Sequence, residues 1–441
     1  MNTVEEKAYL ERFNWTQPIL GAIVLIGMLF WGNHLKTTNV VLPMQLFIGV
    51  LMGIVLVRGR FGFAGGVKRI FVRGEGSLSK ALLLMLSVTM VLFMGYQWMA
   101  AQNGAVPAYL AEEGQAIIPG TQNVFPVNIS LIIGGFLFGF GMILSGGCAS
   151  GTLTDFGEGE GRSFVTLIFF ILSTIPGEWA RYTLDNTGIG QIGFRTYLPE
   201  YFGYFGALLI SMILVGITYW IVISYEKKRK KNGTYLDPKG DWEKDEKPLD
   251  EAEEYSFISF HTYHKLFIER ISFKTTGLLL AVLATFVLLF SGKSWGVTSA
   301  FSQTAVWVFS KFGVNFQTPV FHDLQAATTD GLFTSGGIVR NVGIIFGAII
   351  ALLLANNFKF HYKMNTTDMA YYALGGILMG FGSRLAKGCN AGALYSSMST
   401  FSLSGWFFLF AMTLGGISCL KLLAGKMSMV PNRSEIFGKD I

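Results

Sequence analysis

Residues 134–153 read GGFLFGFGMILSGGCASGTL, and residues 375–394 read GGILMGFGSRLAKGCNAGAL. At a constant offset of 241, Gly134, Gly135, Gly139, Phe140, Gly141, Leu144, Gly147, Cys148, Gly151 and Leu153 fall on Gly375, Gly376, Gly380, Phe381, Gly382, Leu385, Gly388, Cys389, Gly392 and Leu394. Ten such coincidences in twenty positions, a cysteine among them, mark an internal repeat. A weaker echo pairs RFGFAGG at 60–66 with SWGVTSA at 294–300. The fold therefore follows from what one unit is and how two of them meet.

The surrounding composition places the unit in a bilayer. Of 441 residues 51% are hydrophobic and 14% charged, against about a quarter charged in ordinary soluble domains. Apolar runs near 19–35, 41–57, 80–99, 128–145, 164–184, 202–224, 275–291, 335–355, 369–386 and 402–423 predict ten helical spans. Glycine, at 54 residues, is well above the usual ~7%, which asks for close helix approach or broken helices. GxxxG pairs such as Gly49/Gly53, Gly135/Gly139, Gly343/Gly347 and Gly376/Gly380 fit the first need.

The net charge of +6 could suggest a nucleic-acid binder, but so apolar a chain offers no surface for one, and no nucleic-acid partner is expected. Charge reports orientation instead. The loop after the second span carries Arg58, Arg60, Lys68, Arg69, Arg73 and Lys80, whereas residues 100–126 hold no Lys or Arg. The first loop is expected in the cytoplasm, and with it both termini of a plasma-membrane protein. The expected organisation is a cytoplasmic segment 1–18, which lacks the order of a signal peptide, a membrane region 19–224, and a charged cytoplasmic linker 225–272. The remaining spans, 273–424, and a cytoplasmic tail, 425–441, follow. The halves, roughly 19–184 and 202–423, have five spans each, an odd number. The copies then enter the membrane from opposite sides, and the fold class expected is an all-α polytopic membrane protein built of two inverted five-span repeats.

Each cysteine motif ends its span early and continues in small residues, as SGGCASGTLTDFGEGEG and KGCNAGALYSSMSTFS. That pattern predicts re-entrant half-helices lining a protein-buried passage, meeting near the midplane. The echoes near Gly62 and Gly296 would supply two more. The expected substrate pathway is Cys148, Cys389, Gly147, Gly388, Ala149, Ser150, Asn390, Ala391, Gly62 and Gly296. Half-helix N-termini favour anions, and Lys387, Arg384 and Arg340 are candidates for drawing one inward. For Lys387 and Arg384 interfacial snorkelling is the competing reading. Glu178 and Arg181, three apart in one span, are expected to pair. Cys419 lies outside both motifs and reads as a small buried hydrophobe. His261 and His264 lack a Cys or acidic partner at zinc-ligand spacing. Neither a metal nor a cofactor is expected, and no phosphate-binding loop G-x-x-x-x-G-K-[ST] occurs.

The paired GCxxG loops, the GFG before each and the short-helix echo resemble the YeeE/YedE family of sulfur-compound membrane transporters, over essentially both halves. The resemblance implies uptake of thiosulfate, or for some members selenium compounds, through an hourglass-shaped protein whose cysteines relay the substrate by S–H contacts. Cys148 and Cys389 match two of the family's cysteines; the third would fall near Gly62, where this sequence has none. Expected partners are a small sulfur oxyanion, the lipid bilayer and a cytoplasmic sulfurtransferase-type protein. A membrane-embedded thiol enzyme passing sulfur between Cys148 and Cys389 is the alternative from another class, but no base, metal or cofactor motif accompanies it.

Overall fold

The computed structural model describes residues 13–236, 246–249, 259–316, 318–427, 430 and 432. Most of the expected N-terminal segment and tail, and linker residues 237–245 and 250–258, lie outside the described residues. The first half runs α1 (Thr16–Leu35), α2 (Leu42–Arg58), α3 (Phe63–Arg73), α4 (Ser77–Gln102), α5 (Ile129–Ser145), α6 (Ala149–Gly157) and α7 (Gly161–Asp185). The second runs α8 (Leu198–Lys231), α9 (Phe273–Ser291), α10 (Thr298–Lys311), α11 (Gly336–Leu354), α12 (Thr366–Leu385), a π-helical segment π1 (Asn390–Ser396) and α13 (Ser404–Leu422). A two-stranded ribbon, Pro126–Asn128 against Gly193–Arg195, ties the two halves on one face.

Among the described residues nine helices are long and apolar enough to cross a membrane. The tenth expected span, near 369–386, is present as α12, but Thr366, Thr367, Asp368, Ser383 and Arg384 lower its apolarity. It tolerates them because α5 and α7 flank it. The protein is an all-α polytopic membrane protein. Its rim fits that solvent: Phe30, Phe205 and Trp220 are more than two-thirds exposed, an arrangement suited to lipid and hazardous in water. α8 continues to Lys231, so the first residues of the expected charged linker are helical.

The halves do not stand side by side. α12 packs on α7 and α13 on α5; α11 packs on α2 and α9 on α4; α11 also meets α1 and α8 meets α4. Exchanging the halves turns each pair into the next. The two motif-bearing helices, α5 and α12, cross antiparallel: a Cβ on Gly134 would meet the Gly382 carbonyl at 2.6 Å, and one on Gly141 the Gly375 carbonyl at 2.7 Å. In the α2–α11 contact a Cβ on Gly49 would overlap the Arg340 carbonyl, and one on Gly53 that of Ile344. Glycine here lets backbones touch where any side chain would hold them apart, which is the main source of cohesion between helices that share apolar surroundings with lipid.

Candidate functional site: two buried N-cap cysteines and a basic cavity

Four long helices stop short and are followed by short ones. At 11, 9 and 14 residues, α3, α6 and α10 reach only about 14–21 Å at ~1.5 Å per residue, against a hydrocarbon core of about 30 Å. Each break contains one residue in the left-handed region: Arg60 (φ 46°), Gly146 (φ 78°), Gly292 (φ 64°) and Lys387 (φ 60°). Gly146 and Lys387 occupy the same repeat position, so a conformation free to glycine is imposed on a lysine in the second copy.

Cys148 and Cys389 stand as the N-cap residues of α6 and π1, both extended, both about 1% exposed. Their carbonyls accept from equivalent amides, Thr152 N and Ala393 N, each at 2.7 Å. Beyond that the loops differ. The Cys148 thiol lies 3.3 Å from Ser150 Oγ. The Cys389 thiol faces the backbone amides of Ala391, Gly392 and Val297, the last on the approach to α10. Each loop also touches a thioether of the opposite half: Asn390 Nδ2 lies 3.4 Å from Met142 Sδ, and Ser145 Oγ 3.5 Å from Met379 Sδ. Ala149, Ser150, Asn390 and Ala391 are buried with the cysteines. A Cβ on Gly147 would sit 3.3 Å from Asp155 Oδ2, and one on Gly388 2.6 Å from the Ala393 amide, so both glycines keep their turns tight.

The other two breaks arrive at the same place. Gly62 caps α3 in an extended conformation, and Phe63 after it forms an aromatic trio with Trp295 and Tyr395 at centroid distances of 5.9–6.1 Å. The starts of α3 and α10 and the body of π1 thus meet in the core that holds both cysteines.

On the face that carries loop 103–128 opens a cavity of about 720 Å³. Gly296, Arg340, Arg384 and Lys387 all line it, together with Arg181 and Lys293, and among the described residues no carboxylate does. The sequence points to these cations singly; the structure brings them together and adds partners that sequence reading missed. Glu178 pairs with Arg181 at 3.0 Å, as expected, and also with Arg384 at 2.7 Å, while Lys387 lies 3.6 Å from Asp185. Arg384 is therefore neither free nor snorkelling. Arg340 Nη1 donates to Gln45 Oε1 at 2.6 Å and Nη2 to the Gly296 carbonyl at 3.0 Å. Gln45 is absent from the expected site, although a lone amide in the otherwise apolar α2 is a readable signal. Asn123, from loop 103–128 and in the cavity wall, donates to the Gly392 carbonyl at 3.1 Å, and Ser397 donates to the Asn123 carbonyl at 2.7 Å, so the wall is fastened to π1.

The opposite face is tied shut. Asp155 near the end of α6 pairs with Arg162 at 2.9 Å, and Arg60 bridges Glu158 at 3.2 Å and Glu246 at 2.9 Å. Glu246 belongs to the charged linker and is half-buried.

Comparison with known proteins agrees with this geometry. The family model described as "Sulphur transport" matches residues 58–418. The thiosulfate transporter TsuA of Escherichia coli (strain K12) is 27% identical over 372 residues, covering 84% of this chain and 91% of that protein. TsuA of Spirochaeta thermophila is 26% identical over 364 residues, 82% and 92% of the two chains. The probable transporter YedE of Salmonella typhimurium is 31% identical over 134 residues, 30% and 33% of the two chains. With the family model spanning both cysteine loops and all four helix breaks, the chain belongs to the sulphur-transport family.

Proposed function

We propose that the protein takes up a small sulfur oxyanion, thiosulfate in the first place, from the basic cavity past Cys389 and then Cys148 to the linker face. The observation that carries this reading is a cavity whose charged lining residues, among the described residues, are all cations, with Lys387 in its wall two positions before the buried Cys389. On the positive-inside argument the cavity face is outside and the linker face cytoplasmic, with the two copies crossing a plasma membrane in opposite senses. On the inner side Arg162 and Arg60 are taken up by Asp155, Glu158 and Glu246 and leave no uncompensated positive charge for an anion, which gives the passage a polarity.

The chemistry suits neutral thiols. The amides of Ala391, Gly392 and Val297 point at the Cys389 sulfur, and a neutral thiol in that place still carries an S–H to donate. A thiolate in the same place would repel the substrate. A thiol is a weak donor, and weak contacts let a bound ion leave again. The cations outside supply attraction, and the thiols supply passage. A cytoplasmic sulfurtransferase-type protein is the natural recipient on the linker face, where a reactive sulfane sulfur would otherwise be released free.

The test is uptake of labelled thiosulfate into proteoliposomes, with Cys148→Ser, Cys389→Ser and the double variant in parallel. The single variants are expected to lose most uptake and the double variant all of it. Full uptake by the double variant would discard the thiol route. Failure of the unaltered protein to move any sulfur oxyanion would discard the substrate class. A persulfide trapped on either cysteine would favour a sulfur-transferring enzyme.

A further inference from the structure

The cavity holds one buried cation with no carboxylate beside it among the described residues. Arg181 and Arg384 share Glu178, Lys387 has Asp185, and Lys293 is exposed. Arg340 is 6% exposed; among the described residues its guanidinium bonds only an amide oxygen and a backbone carbonyl, and its Nε has no partner. A buried ion without a counter-charge costs several kcal/mol, roughly the scale of one strong ion pair. A fold that keeps such a residue at a cavity wall gains from it when a ligand supplies the missing charge.

Its neighbours share the deficit. Gln45 is 1% exposed; because its Oε1 accepts from Arg340, its Nε2 is turned away and has no partner among the described residues. Ser294, 7% exposed and also in the cavity wall, has an Oγ likewise without a partner among them. Three side chains from α2, the α9–α10 turn and α11 thus present unused hydrogen-bonding capacity beside one uncompensated positive charge. Arg340 holds the Gly296 carbonyl and Asn341 Nδ2 holds the Val297 carbonyl at 3.0 Å, in the turn whose Val297 amide faces the Cys389 thiol.

We infer that Arg340, Gln45 and Ser294 form a discrete station for a tetrahedral oxyanion, a site that binds the oxygen atoms of the substrate directly before it meets Cys389. The donors match that class: a guanidinium edge and an amide NH2 are acceptor-seeking, and the fork of arginine fits an oxyanion better than a compact ammonium does. The paired cations around it act at long range, whereas the station makes contacts. The inference rests on the transport reading and is separable from it.

The decisive variant is Gln45→Glu, which builds the missing anion into the wall at the position already 2.6 Å from Arg340. Full-length protein in detergent is titrated with thiosulfate and, separately, with sulfate, following calorimetric binding and the melting temperature. Unaltered protein is expected to bind both anions in competition. Gln45→Glu is expected to melt no lower without anion, to lose anion-induced stabilisation, and to bind at least about tenfold more weakly. Arg340→Gln is expected to bind as weakly, and Arg340→Lys to recover part of the affinity. Unchanged affinity in folded Gln45→Glu, or sulfate that fails to compete, would overturn the station. Uptake assays separate the two claims. Thiosulfate uptake with unchanged binding in Gln45→Glu removes the station and leaves transport standing, whereas variant-sensitive binding without any uptake removes transport and leaves the station.

Discussion

The two cysteine loops share a motif and differ in everything that follows it. After Cys148 the chain forms a regular nine-residue helix and runs into TDFGEGEG, whose acids are tied to Arg162 and Arg60. After Cys389 it forms a π-helix and runs into YSSMSTFS, whose hydroxyls bond backbone around a basic cavity. The repeat fixes where a cysteine caps a short helix. On the transport reading proposed above, the divergent tails set which end of the passage attracts an anion and which end closes. A symmetric pair of loops would offer the substrate the same free energy from either side; on that reading the asymmetry gives the passage its entrance.

The two faces should differ most at their carboxylates. Glu178 on the cavity side is 2% exposed and serves two arginines, whereas the Asp155 and Arg162 side chains of the closed side are 19% and 18% exposed. Removing one partner of a buried pair leaves the other charge stranded, at about 3–5 kcal/mol. Glu178→Gln is therefore expected to lower the melting temperature in detergent more than Asp155→Asn does. Equal losses would mean that the two faces are comparably solvated and that the cavity-side network is not the structural anchor it resembles.

A smaller effect should mark the closed end. Arg60 joins the end of α6 to the linker through Glu158 and Glu246, with its side chain 32% exposed. Pairs that wet contribute about 1 kcal/mol or less, so Arg60→Ala should melt close to the unaltered protein. Its effect belongs to access. Labelling of Cys148 by a membrane-impermeant thiol reagent added from the linker side should rise several-fold, with labelling of Cys389 from the cavity side unchanged. Unaltered Cys148 labelling would show that the ion pairs decorate the closure without making it.

Much of this architecture is legible in the amino-acid sequence. The repeat, the apolar runs and the small-residue breaks locate the short helices at Gly62, Cys148, Gly296 and Cys389, because a helix that stops in mid-membrane must change composition there. The ion pairs are not legible in the same way. Glu178 meets Arg384 only because α7 packs parallel to α12, and Gln45 meets Arg340 across 295 positions because α2 packs parallel to α11. Neither register is encoded locally. The same holds for GEGEG, where the run shows acids but not Arg60, 98 positions before Glu158. The π-helix after Cys389 has no sequence signal that separates it from the α-helix after Cys148, since Gly and Leu match in both copies. What differs is its docking on Asn123, a long-range contact.

The subtlest contrast is the left-handed residue before each cysteine, Gly146 in one copy and Lys387 in the other. A side chain in this conformation costs about 1–2 kcal/mol, and the Lys387–Asp185 pair, with both side chains about a quarter exposed, returns about 1 kcal/mol at most. Lys387→Ala keeps the strain and loses the pair, so it should be destabilised. Lys387→Gly loses the pair and relieves the strain, at the cost of more freedom in the unfolded chain. It should therefore melt near the unaltered protein and above Lys387→Ala. Both variants should weaken uptake about equally at low ionic strength and converge on the unaltered protein at high salt, because the charge acts through screened attraction. If Lys387→Gly instead melts below Lys387→Ala, the left-handed turn is not strained by its side chain, and the lysine is held there for its packing. If uptake differs between the two at equal charge, the turn itself, and not the cation, shapes the approach to Cys389.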